Sequence, residues 1–269
     1  MRRSLALAIA LLAAEGAQLA INGQIFRKDF SLCGVALARG APWSRVDDRA
    51  CGHAFGWSAD LRTWTTFAGR GLGGGPFPPG VTEAVGGYPT LVRGGVPCDG
   101  KRAEVCAVPS LAPADFQGPN PRTFFGVDRA RTKAFLVVVD GREVGTAAGM
   151  TLVEGARFMA ATVGAWDAVN LDGGGSSELF IAREGGVVNA PSDGEERPIA
   201  DAIVVGVASD GRGGGADGGT DAGGGGRRKS ACGCRGAGAR GSSRSATAAA
   251  LGAALLLLRR RRPPGGPCR

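Results

Sequence analysis

The residues from 170 to 179 combine a carboxylate, three glycines and two hydroxyls, and these groups suit chemistry on a charged substrate. The carboxylate, Asp172, follows the apolar residues Ala168, Val169 and Leu171 and precedes the glycines and serines. The apolar lead-in predicts a short buried strand that ends near the carboxylate. Because a second apolar segment, residues 179–182, follows the run, a flexible glycine-rich linker with a turn-capping Asp is the less favoured interpretation.

The turn after Asp172 predicts a binding site for an anion. Glycine permits positive φ angles and lets a ligand approach the main chain closely. Successive free amides in such a turn form a concave anion site, to which serine hydroxyls add donors. The predicted cradle consists of Gly173, Gly174, Gly175, Ser176 and Ser177.

Six further segments match motifs of one enzyme family, in the order in which that family carries them. They are Asn22-Gly23 with Phe26, residues 86–92, Pro121-Arg122-Thr123 with Gly126, Asp140-Gly141-Arg142, residues 149–152 and residues 189–198. Together with the central run, they resemble the phosphodiester glycosidase family. This resemblance implies hydrolysis of the bond between a sugar's anomeric carbon and a phosphodiester oxygen, with N-acetylglucosamine 1-phosphodiesters as the type of substrate.

The resemblance also implies catalytic roles for three residues. Asp172 would be the leading carboxylate, as nucleophile or base, and Asp140 the second carboxylate. Arg122 would clamp the phosphate, because a planar guanidinium donates two parallel hydrogen bonds to such a group. Thr123 would stand beside it. From the residue types alone, Asp140-Gly141 equally predicts an ordinary hairpin turn.

Further residues at matched positions are expected to bind the substrate. Asn22 would hydrogen-bond the sugar or orient a carboxylate. The glycine amides and Ser176 would hold the phosphate or the departing oxygen. The other predicted substrate-binding residues are Ser177 and Arg197.

Two positions depart from the pattern of the family. Glu178 stands where a small hydroxyl residue is usual, and it adds negative charge beside the predicted anion cradle. Gln24-Ile25 follows Asn-Gly where Gly-Phe is common. The sugar pocket, and with it the identity of the substrate, therefore stays open.

The apolar pattern predicts a single α+β domain over residues 20–208, with mixed or antiparallel sheets and a few flanking helices. Residues 134–139 predict a strongly buried strand. Thr151 and Glu154 have the spacing of a capping box, which begins a helix, and Gly164 is expected to end that helix.

The two ends of the chain carry separate signals. Residues 1–19 fit either a signal peptide or a native helix that leads into the next strand. Residues 209–231 predict a glycine-rich flexible linker. Residues 232–269 resemble a myxobacterial-type C-terminal sorting tag, with Cys-Gly-Cys, a short apolar run and an arginine cluster. That run is shorter than the roughly 20 residues that a spanning helix needs, which favours a processed anchor over a permanent span; a basic low-complexity tail is the alternative.

The charge and the cysteines limit the possible partners. The net charge of +8 comes mostly from the tail, and no basic stripe with interleaved aromatics is present, so we predict no nucleic-acid partner. Cys33 and Cys51 bracket one short loop, and Cys98 and Cys106 bracket another. Two local disulfides in an exported protein are the simplest interpretation.

No cofactor is predicted. The cysteine pairs lack metal-ligand spacing, and His53 is the only histidine, so a zinc site is not expected. A hard cation held by the oxygens of Asp172 and Asp140 is the less favoured alternative.

We therefore predict an exported hydrolase at the cell surface or outer envelope that cleaves a sugar-1-phosphodiester in an envelope or extracellular glycan. Its partners would be the glycan or sugar-phosphate substrate and, through the tag, the membrane or surface. Two alternatives stay open. One is a non-catalytic surface carbohydrate-binding protein on the same scaffold, and the other is a phosphoric-ester hydrolase that breaks the P–O bond.

Overall fold

The computed structural model describes residues 17–42, 44, 53–58, 64–68, 77–99, 118–206 and 252–258. Residues 1–16 and most of the residues after 206 lie outside this part of the chain. The signal or helix, the linker and most of the sorting tag therefore stay predictions.

The described residues form strands that build three β-sheets. In chain order the strands are β1 (Ala17–Asn22), β2 (Ala36–Ala38), β3 (Ala41–Pro42), β4 (His53–Trp57), β5 (Trp64–Ala68), β6 (Glu83–Gly87), β7 (Thr90–Arg93), β8 (Val96–Pro97), β9 (Arg122–Val127), β10 (Lys133–Val139), β11 (Asp167–Asn170), β12 (Leu179–Ile181), β13 (Gly186–Val187), β14 (Ala202–Gly206) and β15 (Gly252–Leu258). The predicted strand at residues 134–139 is confirmed as β10.

The three sheets are mostly antiparallel. One has the strand order β13-β12-β1-β14, the next β15-β10-β9-β11-β7-β8, and the last β3-β2-β6-β4-β5. Among the described strands, only β10 and β15 pair in parallel. With one short helix beside them, these sheets make an α+β domain, which confirms the predicted fold class.

The helix, α1 (Leu152–Phe158), begins at the predicted capping box. The Glu154 amide donates to Thr151 Oγ1 at 3.2 Å, and the Thr151 amide donates to Glu154 Oε2 at 3.1 Å. The chain continues as a π-helical turn, Met159–Val163. This helical segment ends at Gly164, whose φ of 80° lies in the left-handed region. Both predicted boundaries of this helical segment are therefore confirmed.

The second sheet is buried on both faces. Along β10, Phe135, Val137 and Val139 pack in the cluster that contains α1, while Leu136 and Val138 pack with the strands of the other sheets. Successive side chains of a strand point to opposite faces. A strand that is covered on both sides therefore reads as a continuous apolar run, which explains the sequence of β10.

Part of the predicted tag has a place in this sheet. Residues Gly252–Leu258 form β15, which pairs with β10 from Lys133 opposite Gly252 to Val139 opposite Leu258. Within the described part of the chain, no helix combines the length and the apolar character needed to cross a membrane.

Two cysteines of the predicted disulfide pairs fall among the described residues. Cys33 and Cys98 each take part in a disulfide bond. Cys51 and Cys106 lie outside the described residues, so the pairing itself stays a prediction.

The contact between α1 and β9 leaves no room for a side chain at Gly155. A Cβ built there would lie 2.5 Å from Phe124 Cζ, in a ring that is fully buried. Although alanine favours helices over glycine, Gly155→Ala is therefore expected to lower the free energy of unfolding by about 1–3 kcal/mol. Urea unfolding measures this change.

Gly186→Ala is the matched control for that substitution, because a Cβ at Gly186 would meet no atom within 4 Å. We expect it to change stability by less than about 0.5 kcal/mol. An equal effect of the two substitutions, or stabilisation by Gly155→Ala, would contradict the packing described.

Candidate functional site

The three predicted catalytic residues lie at one edge of the second sheet. Arg122 opens β9, Asp140 directly follows β10, and Asp172 lies two residues beyond β11. Because β9 is antiparallel to both of its neighbours, the start of β9 meets the ends of β10 and β11. The structure thus places Arg122 on the strand between the two carboxylates.

Asn22, at the end of β1, anchors the main chain that carries Asp172. Its Nδ2 donates to the Asp172 carbonyl at 2.8 Å, and its Oδ1 accepts from Thr123 Oγ1 at 2.7 Å and from the Glu178 amide at 3.2 Å. The Asp172 amide donates to the Gly23 carbonyl at 3.0 Å. Asn22 is 1% exposed, and its polar atoms are engaged within the protein, so the described contacts fit an orienting role.

Each glycine of the triplet has a close neighbour that a side chain would meet. A Cβ on Gly173 would lie 2.8 Å from the Pro121 carbonyl oxygen and 3.9 Å from Arg122 Cδ. A Cβ on Gly174 would lie 3.1 Å from Arg142 Nη1, and one on Gly175 would lie 2.1 Å from Asp193 Oδ2. Glycine therefore leaves room for the Pro121 carbonyl and the Asp193 carboxylate at this turn, and Gly174 also has a positive φ of 65°.

The amides of this turn are partly used within the protein. The Gly173 amide donates to Asp172 Oδ1 at 2.9 Å, and the Gly174 amide donates to the Pro121 carbonyl at 3.0 Å. Among the described contacts, the Gly175 amide has no acceptor. Gly175 is itself buried, so the described contacts do not reproduce the predicted cradle of open amides.

The serine hydroxyls lie beneath the turn rather than at its surface. Ser176 and Ser177 are 0% and 1% exposed, and neither Oγ has a hydrogen-bond partner among the described residues. The Ser176 hydroxyl nevertheless lies close enough to Asp172 to lower the pKa of that carboxyl.

Arg122 is buried and held by main-chain carbonyls. Its Nε donates to the Met150 carbonyl at 3.0 Å, and its Nη2 donates to the Gly118 carbonyl at 3.0 Å. Burial, together with the positive charge of Arg142, lowers the pKa of Arg122 to about 10. Two guanidinium groups are therefore held close enough to repel each other.

Arg142 is the exposed member of this pair. It has a left-handed φ of 62°, which is uncommon outside glycine, asparagine and aspartate. Its Nε donates to Asn120 Oδ1 at 3.1 Å, and its guanidinium lies over Gly174. This arrangement aims a solvent-accessible cation at the glycine turn.

Asp172 is half-buried at the base of the turn. Burial raises the pKa of its carboxyl, while Ser176, the Gly173 amide and the charge of Arg197 oppose that rise. A carboxylate that is incompletely solvated in this way is well suited to act as a base or as a nucleophile.

Glu178 and Arg197 connect residues 189–198, the closing segment, to the glycine turn. The Arg197 amide donates to Glu178 Oε1 at 2.6 Å, and the Arg197 side chain pairs with Asp193. Burial raises the pKa of Glu178 to about 7, with Glu196 and Asp193 adding to the rise and Arg197 opposing it. Glu178 therefore holds the segment whose residue Asp193 touches the turn.

Asp140 is completely buried. Its Oδ1 accepts from Asn189 Nδ2 and from the Ala190 amide, each at 3.1 Å. Asn189 also donates to the Ser177 carbonyl at 2.8 Å. Asp140 thus connects the end of β10 to the closing segment and, through Asn189, to the glycine turn.

Sequence reasoning assigned no role to several residues that the structure brings to this edge. Arg142 was visible in the Asp-Gly-Arg motif, but only the fold shows that its guanidinium reaches Gly174. Asn189 and Asp193 lie in the matched residues 189–198, where the motif gave no role to either of them, and Asp201 lies just beyond. Their positions depend on pairings between distant parts of the chain.

Within the described residues, no group of three or more histidine, cysteine or acidic side chains could hold a metal ion. A cavity of about 390 Å³ lies elsewhere, between β2, β6 and β14. Asp201 forms part of its wall, but Asp172 does not.

Comparison with known proteins gives one family. The family model described as phosphodiester glycosidase matches residues 15–206, well over half of the chain. No curated protein matches the sequence. Among solved structures, the zebrafish N-acetylglucosamine-1-phosphodiester alpha-N-acetylglucosaminidase catalytic domain, auto-inhibited by its pro-peptide, is 20% identical with a TM-score of 0.52.

That comparison covers 70% of this chain and 62% of the zebrafish chain, so this chain spans less than two thirds of its relative. A hypothetical protein from Synechocystis is 16% identical with a TM-score of 0.49, over 69% of this chain and 51% of the other. At 20% identity, the zebrafish likeness shows a shared fold. Together with the extent of the family match, it leads to one conclusion: the chain belongs to the phosphodiester glycosidase family.

Proposed function

We propose that this protein is an exported hydrolase that cleaves a sugar-1-phosphodiester, of the N-acetylglucosamine type, between the anomeric carbon and the phosphodiester oxygen. The observation that carries the proposal is that Arg122, Arg142 and Asp172 all border one glycine turn. Arg122 Cδ lies beside Gly173, the Arg142 guanidinium lies over Gly174, and the Asp172 carboxyl accepts from the Gly173 amide. Such a site offers positive charge to the phosphate and negative charge to the sugar carbon.

The proposed step makes limited demands on acid catalysis. The C–O bond breaks, its electron pair remains on the phosphate oxygen, and water forms the new bond to the anomeric carbon. The transition state is oxocarbenium-like, so Asp172 stabilises the carbon as a nucleophile or accepts the proton of the water as a base. A phosphate ester leaves with negative charge already on it, and preorganised cations hold that charge.

The two arginines divide the phosphate-binding work in this proposal. Arg122 is held by the Met150 and Gly118 carbonyls, so it supplies fixed positive charge below the turn. Arg142 is exposed and lies over Gly174, so it makes the direct contact with the phosphate.

Other predicted residues take supporting roles. Asn22 and Thr123 orient the main chain at Asp172. Asp140, as a fully buried acceptor for Asn189 and Ala190, holds the closing segment rather than the substrate.

The place of action is also a proposal. The bonded state of Cys33 and Cys98 supports an oxidising compartment, because disulfides persist there. For residues 232–269 to retain the hydrolase at the surface, where it would act on an envelope or extracellular glycan, residues 252–258 would have to leave their pairing with β10.

Replacing Asp172 by Asn keeps the volume and the main-chain anchors of this residue but removes its negative charge. We expect kcat/KM on an N-acetylglucosamine 1-phosphodiester to fall by roughly 10²–10⁴-fold. The measurement compares that substrate with a matched neutral α-glycoside, for wild type and variant, after circular dichroism has confirmed folding.

Asp128→Asn serves as the control, since Asp128 follows β9 at the opposite end of the sheet. It should leave turnover within about twofold of wild type. Full hydrolysis by a folded Asp172→Asn protein would refute the role given to this carboxyl.

Replacing Arg142 by Ala should weaken the phosphodiester more than the neutral glycoside. A charge-assisted hydrogen bond contributes about 1.5–3 kcal/mol, so KM for the phosphodiester should rise roughly 10- to 100-fold. Steady-state kinetics on both substrates measure the difference, with Arg183→Ala as control because Arg183 pairs with Glu184 on the exposed surface. Equal losses on the two substrates would show that Arg142 does not bind the phosphate.

A further inference from the structure

A second carboxyl, Asp201, lies directly behind the turn that holds Asp172. Its Oδ1 accepts from the Gln24 amide at 2.9 Å, and its Oδ2 accepts from Gln24 Nε2 at 3.2 Å. The Gly23 amide donates to the Asp201 carbonyl at 2.9 Å. Asp201 therefore fixes the turn formed by Asn22, Gly23 and Gln24 through three hydrogen bonds.

The same turn holds Asp172 from the other side. The Asp172 amide donates to the Gly23 carbonyl, and Asn22 Nδ2 donates to the Asp172 carbonyl. A Cβ on Gly23 would lie 2.2 Å from Asp201 Oδ1. The Asp201 carboxyl therefore packs against Gly23. Gly23 hydrogen-bonds to the main chains of both Asp172 and Asp201 and so connects the two acidic residues.

Both polar atoms of the Gln24 side chain are engaged in hydrogen bonds. Its Oε1 accepts from the Gly34 amide at 2.7 Å, and its Nε2 also donates to the Val35 carbonyl at 3.2 Å. Gln24 is 1% exposed. A residue that departs from the family pattern therefore serves as the hydrogen-bond partner of a buried acid.

Among the described residues, Asp172 acts on Asp201 through its negative charge, and Glu83 and Arg39 line the wall of the 390 Å³ cavity to which Asp201 also belongs. Burial raises the pKa of Asp201 to about 7, and the negative charge of Asp172 adds to that rise.

We propose that Asp201 is a positioning residue for Asp172, which supports the main chain of Asp172 through the Asn22–Gln24 turn and whose own ionisation responds to the charge of Asp172. The proposal deepens the function proposed above and rests on it for its kinetic consequence. Its structural and electrostatic content concerns the folded protein alone.

The coupling has a defined direction. Burial keeps Asp201 protonated below about pH 7, and the negative charge of Asp172 adds to this effect because two nearby like charges disfavour ionisation of the second group. Above that pH Asp201 ionises and places a second negative charge behind the site. An anionic phosphodiester is then repelled, whereas a neutral glycoside is not.

The direct test is the carboxyl ¹³C titration of Asp201 by NMR in the full chain, assigned through backbone correlations. In wild type we expect a midpoint of about 7. In Asp172→Asn the midpoint should fall by roughly one pH unit, because the neighbouring charge is gone. Asp128, at the far end of β9, is the control resonance and should not respond to that substitution.

An Asp201 midpoint that is the same in wild type and Asp172→Asn would overturn the proposed coupling. This result does not depend on turnover, so it is distinguishable from failure of the proposed function. The latter would appear as absence of hydrolysis on every sugar phosphodiester tested, with the titration coupling intact.

A kinetic test separates coupling from simple structural support. Glu178 also titrates at about 7, so Glu178→Gln is used as the background in which Asp201 is the remaining group. In that background KM for the phosphodiester should rise severalfold as pH passes 7, and adding Asp201→Asn should abolish the rise. A rise that persists, or an equal loss at every pH, would reduce Asp201 to a structural residue.

Discussion

The buried side chain of Asn22 is the constraint on which the site depends. It joins β1 to β9 through Thr123, to the start of β12 through the Glu178 amide, and to the main chain at Asp172. Because Asn22 is 1% exposed, losing a partner would leave a buried polar group unpaired, at a cost of about 1–3 kcal/mol. Two sheets and the glycine turn are therefore held in one register by a single amide.

With its main chain fixed, the turn can gather charges that would otherwise separate. Arg122 and Arg142 repel each other, and burial raises the pKa of Asp172, Glu178 and Asp201. A bound anion would reduce the repulsion between the arginines. A developing positive charge on a sugar carbon would stabilise the ionised carboxylate of Asp172, which burial disfavours. On the proposed function, this electrostatic imbalance would make a glycosyl phosphodiester a better substrate for the site than a neutral glycoside.

Local sequence patterns predicted the elements whose causes are local. The apolar run of β10, the capping box of α1 and its end at Gly164 follow from neighbouring residues, and the structure has each of them. The partners of polar groups were not predictable in this way. The Gly174 amide meets the Pro121 carbonyl, and Arg142 reaches Gly174, only because strands far apart in the chain are paired. The position of Asp201 was not predictable for the same reason, because its hydrogen-bond partner Gln24 lies 177 residues away in the chain.

Hydrolysis of an N-acetylglucosamine 1-phosphodiester in water enriched in heavy oxygen tests the central claim most directly. In the proposed reaction water attacks the anomeric carbon. Mass spectrometry should therefore find the label in the released sugar and ordinary oxygen in the phosphate ester. Label in the phosphate ester would mean that the P–O bond is broken, and the protein would then be a phosphoric-ester hydrolase on this scaffold rather than a glycosidase.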